Sequence, residues 1–118
     1  LERIFGWVLW PLCWLMGIPA AEAHTAGGLL GTKVVLNELI AYIQLAALPP
    51  SSLSDGSRLI MTYALCGFAN LGSMGMLAGA LAVMVPERRQ EVLELSVRAL
   101  AAGALATCTT GAIIGIVA

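Results

Sequence analysis

An all-α membrane protein is the fold class this sequence predicts, and three observations predict it. Only 11% of its 118 residues are charged and 59% are hydrophobic, against about 25% charged in soluble domains. The mean hydropathy is +0.91. Two long stretches, Leu59 to Pro86 and Ala99 to Ala118, carry no charge at all. The expected order is an interfacial helix (residues 1–21), a re-entrant helical hairpin (22–50), a broken transmembrane helix (58–86) and a final transmembrane helix (90–118).

The first element rests on Trp7, Trp10 and Trp14, which fall at helical spacings of three and four and so share one face. Tryptophan favours the headgroup level, where its ring is buried and its N–H stays wet. Pro11 and Pro19 interrupt the uncharged run Ile4 to Ala21, which suits a helix lying on the membrane; a short kinked span is the alternative.

The second element reads as two apolar helices of about 10–14 residues, joined around Lys33, Asn37 and Glu38. At ~1.5 Å per residue each is roughly 15–21 Å long, about half of a ~30 Å hydrocarbon core. A hairpin that enters and leaves by one face fits. A single span would place both charges in lipid at about 2.5–3.5 kcal/mol each. The glycines before the joint and the Pro49–Ser52 stretch PPSS after it favour the hairpin.

The polar SSLSDGSR turn follows, and then the uncharged run to Pro86. That run is roughly 42 Å long if fully helical, more than a bilayer requires. PERRQEVLELSVR is a charged turn that starts the last helix, and its Arg88–Arg89 pair orients it to the cytoplasm by the positive-inside bias. The 51–58 turn, the hairpin's open end and the tryptophan segment then lie outside. Three GxxxG matches (Gly27/Gly31, Gly75/Gly79, Gly111/Gly115) point to close helix packing.

A net charge of −1 provides no basic field for nucleic acid. Cys13, Cys66 and Cys108 form no CxxC pair and read as small buried hydrophobes; His24 reads as solvated or capping. No metal or cofactor site is expected. A start at Leu1 without Met or a signal-peptide pattern, and an end inside an apolar run, suggest part of a larger membrane protein.

The chemistry concentrates where an uncharged helix should be plainest. YALCGFANLGSMG (Tyr63 to Gly75) holds Asn70, Ser73 and several glycines. Phe68 and Asn70, two apart, face alike only in extended backbone, whereas Asn70 and Ser73, three apart, share a helix face. Chain unwound around Gly67–Asn70 and helical again from about Gly72 brings all three side chains to one cavity. Glycines bracket the break and lower its conformational cost. Transporters build substrate sites at such interruptions. Glu38, at a half-helix start where the dipole favours a carboxylate, accepts two hydrogen bonds at once, the pattern a vicinal diol offers. Ring, amide, hydroxyl and carboxylate together suit a nucleoside. Each residue also has a structural reading: Phe68 as core, Ser73 bonded back to a helix carbonyl, Asn70 pairing two helices, Glu38 paired with Lys33.

GTKVVLNELIAY (Gly31 to Tyr42), YALCGFANLGSMG, PERR and the upstream PLCWLMGIP (Pro11 to Pro19) resemble the C-terminal half of the concentrative nucleoside transporter family. Leu39 stands where many members have phenylalanine. The resemblance implies a cation-coupled symporter of two inverted repeats, a homotrimer, integral to the membrane and, in bacteria, to the inner membrane. It implies that Glu38, Asn70 and Ser73 contact ribose and Phe68 flanks the base. The ligands of the coupling ion, sodium or proton, and the base-reading hairpin are expected in a missing N-terminal half. Two other readings belong to different classes: a non-transporting structural or assembly subunit, and an intramembrane enzyme using Glu38 or Cys66. The enzyme lacks a His/Cys or paired-carboxylate partner at sensible spacing, so no enzymatic activity is expected.

Overall fold

The computed structural model describes residues 2–118. Seven α-helices follow in order: α1 (Glu2–Val8), α2 (Trp10–Leu15), α3 (Ala20–Val35), α4 (Glu38–Ala47), α5 (Asp55–Leu65), α6 (Leu71–Met84) and α7 (Arg89–Val117). A single 3-10 turn, Pro86–Arg88, joins α6 to α7. The chain is all-helical, with no strand among the described residues.

The tryptophan segment forms two short helices because Pro11 opens α2 and has no N–H to extend α1. It closes on Gly17, whose φ of +95° and the bond from Ile18 N–H to Cys13 O, 3.2 Å, turn the chain out of the helix. The tryptophans divide between two roles. Trp10 and Trp14 stack with parallel rings 6.4 Å apart, while Trp7 meets the His24 ring edge-on at 5.5 Å. His24 is thus a half-buried packing partner, where sequence suggested a solvated or capping one.

Helix α3 has 16 residues, longer than the expected 10–14, because the apolar Val34 and Val35 continue it up to the turn at Leu36–Asn37. Asn37 then caps α4: its side-chain oxygen accepts from Ile40 N–H at 2.9 Å. Ala47 and Leu48, at the far end of α4, line one cleft with His24 and Thr25 of α3, so α3 and α4 fold back on each other as a hairpin.

The hairpin's open end is tied to α5. Glu22 accepts from the N–H and hydroxyl of Ser54, both at 3.1 Å, and Ser54 in turn caps α5. Arg58 donates to three carbonyls at the end of α4, those of Leu45, Leu48 and Pro49, at 3.2, 2.9 and 3.0 Å. A cation on a helix's last carbonyls suits its negative end.

Two of the GxxxG pairs are contact surfaces. A Cβ on Gly27 would lie 2.9 Å from Gly6 O and one on Gly31 would overlap the Phe5 side chain, so α1 crosses α3 there. A Cβ on Gly111 would lie 3.0 Å from that of Ala64, and one on Gly115 2.9 Å from Ile60 Cδ1, which sets α7 against α5. Gly75 and Gly79 have nothing within 4 Å. The core between these helices gathers Cys13, Met16, Leu30, Met61, Leu65 and Cys108. Cys66 departs from the expected pattern: it is exposed, because it closes α5 where the helix stops.

Candidate functional site

Helix α5 ends at Leu65 and α6 begins at Leu71, leaving Cys66 to Asn70 outside any helix. The backbone that this break frees is partly satisfied locally: Asn70 Oδ1 accepts from Ser73 N–H at 2.7 Å and Asn70 N–H donates to Phe68 O at 2.9 Å. Asparagine in extended backbone (φ −141°, ψ 161°) followed by an apolar run is a helix start. The break therefore restarts within a residue or so of where the sequence placed it.

Glu38 is the first residue of α4, and its carboxylate meets the break. Asn70 Nδ2 donates to Glu38 Oε2 at 3.4 Å and to Phe68 O at 3.3 Å. Two Asn-capped helix starts thus face each other, α4 carrying the carboxylate and α6 the amide that reaches it. Both contacts of the amide are long, at the weak end of the hydrogen-bond range, whereas its oxygen is firmly held.

The structural readings of these residues separate cleanly. Phe68 is 78% exposed, so it is no part of the core. Thr32, Thr62, Ser96, Thr109 and Thr110 each send a hydroxyl back to the carbonyl four residues earlier; no such bond forms at Ser73 among the described residues. Glu38 makes no ion pair with Lys33; the single one among the described residues joins Arg88 and Glu91. Asn70 does bridge two helices, and at 3% exposure it is both a cap and a wall of the site.

Phe68, Asn70 and Ser73 line one groove of about 520 Å³ that runs between α6 and α7, with Leu77, Leu95 and Leu100 along its apolar walls. Glu38 stands behind Asn70 and does not line that groove. The structure thus brings the four residues together as a polar head, Glu38–Asn70, adjoining an apolar channel that opens past Phe68 and Ser73.

Three residues that the sequence placed at the joint and the break take roles it did not assign them. Asn37 was legible as a cap, since asparagine stands just before an apolar run. Lys33, 1% exposed, donates to Ala64 O at 2.9 Å and to Thr107 Oγ1 at 2.7 Å. Gly67 is required for space: a Cβ there would lie 2.5 Å from Thr107 Cγ2. These last two carry no local signal, because Thr107 lies 74 and 40 positions away in the chain.

A helical bundle with its polar groups gathered where helices are interrupted has the architecture that membrane transporters use for solute sites. Among the described residues one helical stretch, Pro86–Val117, is long and apolar enough to cross a membrane. The family model described as "Na+ dependent nucleoside transporter C-terminus" matches residues 1–115, and the chain belongs to that family. It is 40% identical to the putative nucleoside permease NupX of Escherichia coli (strain K12), over 98% of this chain and 28% of that protein. It is 39% identical to the nucleoside permease NupC of Helicobacter pylori, over 98% and 29%. The solved structure of CNTnw in an inward-facing substrate-bound state superposes with a TM-score of 0.86 at 44% identity, covering 98% of this chain and 28% of that one. The chain therefore spans less than a third of the length of these relatives.

Proposed function

We propose that this chain forms the ribose-binding part of a cation-coupled nucleoside symporter embedded in the membrane. The observation that carries the reading is the meeting of Glu38 and Asn70, 32 positions apart, at two facing helix starts. A carboxylate held by one long contact keeps acceptor capacity for a vicinal diol. Ser73, with its hydroxyl not bonded back, sits one helical turn from Asn70 and supplies a second polar contact. Phe68, exposed at the mouth of the groove, offers a ring face to the base. Family membership and the names of the relatives support nucleoside as the solute class, and transport rather than chemistry.

In this reading α1 and α2 lie at the membrane interface and α3–α4 is a re-entrant hairpin. The pair α5–α6 is a span broken at mid-depth, and α7 is the last span. The freed backbone of the break then faces protein or substrate rather than lipid, and hairpin and broken helix move together against a scaffold to alternate access. The ligands of the coupling ion and the groups reading the base belong to the rest of the transporter, which assembles as a trimer in the bacterial inner membrane.

The deciding experiment is Glu38→Gln in the full-length protein containing this chain. The substitution keeps the shape and removes a charge-assisted acceptor worth about 1.5–3 kcal/mol, so uridine affinity should fall roughly tenfold to a hundredfold while the protein still purifies folded. Unchanged uridine binding would reject the site and leave the polar residues a role in helix association alone.

A further inference from the structure

We infer that Lys33 is a positioning residue for this site: its ammonium fixes the end of α5 against the hairpin tip and thereby leaves Glu38 free for the ligand. The inference rests on the reading of Glu38 as a substrate group.

The geometry is one of matched polarities. The break between α5 and α6 presents two helix ends, the carbonyl end of α5 and the N–H end of α6. Lys33 and Glu38, on either side of the hairpin's turn, reach one each. Lys33 Nζ donates to Ala64 O in the last turn of α5, 2.9 Å away. Glu38 Oε2 accepts from Asn70, the cap of α6. Cation on the negative end and carboxylate at the positive end is the arrangement the helix dipoles favour at both places. The tip therefore docks in one register, since exchanging the two contacts would oppose both dipoles.

A buried ammonium is costly unless its donors are satisfied. Lys33 has no carboxylate within 4.0 Å among the described residues; its partners are a helix-end carbonyl and the hydroxyl of Thr107, 2.7 Å away. The Thr107 hydroxyl donates its own hydrogen bond to Ala104 O at 2.9 Å, so the oxygen it turns to Lys33 is a committed acceptor. Gly67 makes room for Thr107, the acceptor of Lys33, because a Cβ there would lie 2.5 Å from Thr107 Cγ2. Three elements, α3, α5 and α7, are pinned at one nitrogen. Since that nitrogen is spent on α5 and α7, it makes no ion pair with Glu38, whose carboxylate takes its one side-chain hydrogen bond among the described residues from Asn70, at 3.4 Å.

The test compares Lys33→Met, Thr107→Val and Glu38→Gln in the full-length transporter. It reads uridine affinity, competition by 2′- and 3′-deoxyuridine, and hydrogen exchange of the segment 63–74. Lys33→Met should weaken uridine roughly tenfold, blunt the discrimination against both deoxy analogues, and speed exchange across the break. Wild-type affinity and discrimination in folded Lys33→Met, beside a Glu38→Gln that has lost binding, would overturn the inference and leave the site standing. Reduced stability without any change in deoxy discrimination would overturn it too. Should Lys33→Met not fold, Thr107→Val decides: a smaller change in the same direction sustains the inference, and unaltered binding and exchange refute it.

Discussion

Gly67→Ala tests whether the break is held by close packing rather than by glycine's backbone freedom. Gly17 is the one residue with positive φ among those described, so alanine at 67 is conformationally tolerable and its effect must come from space. A methyl there would stand 2.5 Å from Thr107 Cγ2, about 1–1.5 Å inside an ordinary ~3.5–4.0 Å carbon contact. Overpacking of this kind costs about 1–3 kcal/mol, and relief by displacing Thr107 would pull on its 2.7 Å bond from Lys33. The companion Thr107→Ser removes the offending Cγ2 and keeps Oγ1 for Lys33. In chemical or thermal unfolding of the full-length protein, Gly67→Ala should destabilise by that amount. Gly67→Ala with Thr107→Ser should recover most of it, giving a coupling energy of about 1 kcal/mol or more in a double-mutant cycle. Gly56→Ala, in the first turn of α5 with nothing within 4 Å, is the control and should be neutral or gain up to about 1 kcal/mol. Equal behaviour of the Gly67 and Gly56 variants, or additivity of the pair, would refute the packing argument.

Asn70→Ala should cost about 0.5–2 kcal/mol as a lost cap and also weaken ribose recognition, whereas Asn70→Ser keeps a cap but is too short to reach Glu38. Deoxy-nucleoside competition should therefore be blunted in both variants, with stability preserved only in the serine one. Phe68→Ala removes a side chain that is 78% exposed; thermal stability should hold while nucleoside affinity falls by about 1–3 kcal/mol, the range for a base stacked on an aromatic ring. Arg58→Ala removes a donor from the carbonyls of Leu45 and Leu48 and one of two from Pro49, which keeps Ser52 N–H at 3.0 Å, and should lower stability by about 1–3 kcal/mol. Deoxy discrimination should not move, because these bonds lie at the hairpin's far end, and a specificity change would contradict that separation.

The sequence by itself determined the all-helical class and the interrupted run after Tyr63, and it named the four residues proposed to hold a nucleoside, three at the ribose and Phe68 at the base. These properties are local or nearly so. Absence of charge over a long run, asparagine before an apolar turn, and proline against helix extension each act within a few residues of chain. Its shortfalls share a cause. The three tryptophans were assigned one face, but Pro11 splits the helix on which that face depends. Cys66 was assigned to the core with the other cysteines, yet it falls where α5 ends. Glycine at 67 was credited with backbone freedom and turns out to yield room to a threonine forty residues on. What only the tertiary structure decided is which charge meets which helix end. Lys33 could have paired with Glu38 five residues away, and nothing in composition or spacing says otherwise. It turns instead to a carbonyl of α5 and a hydroxyl of α7, because the dipole end of one helix and the packed side of another stand closer to it than the carboxylate does.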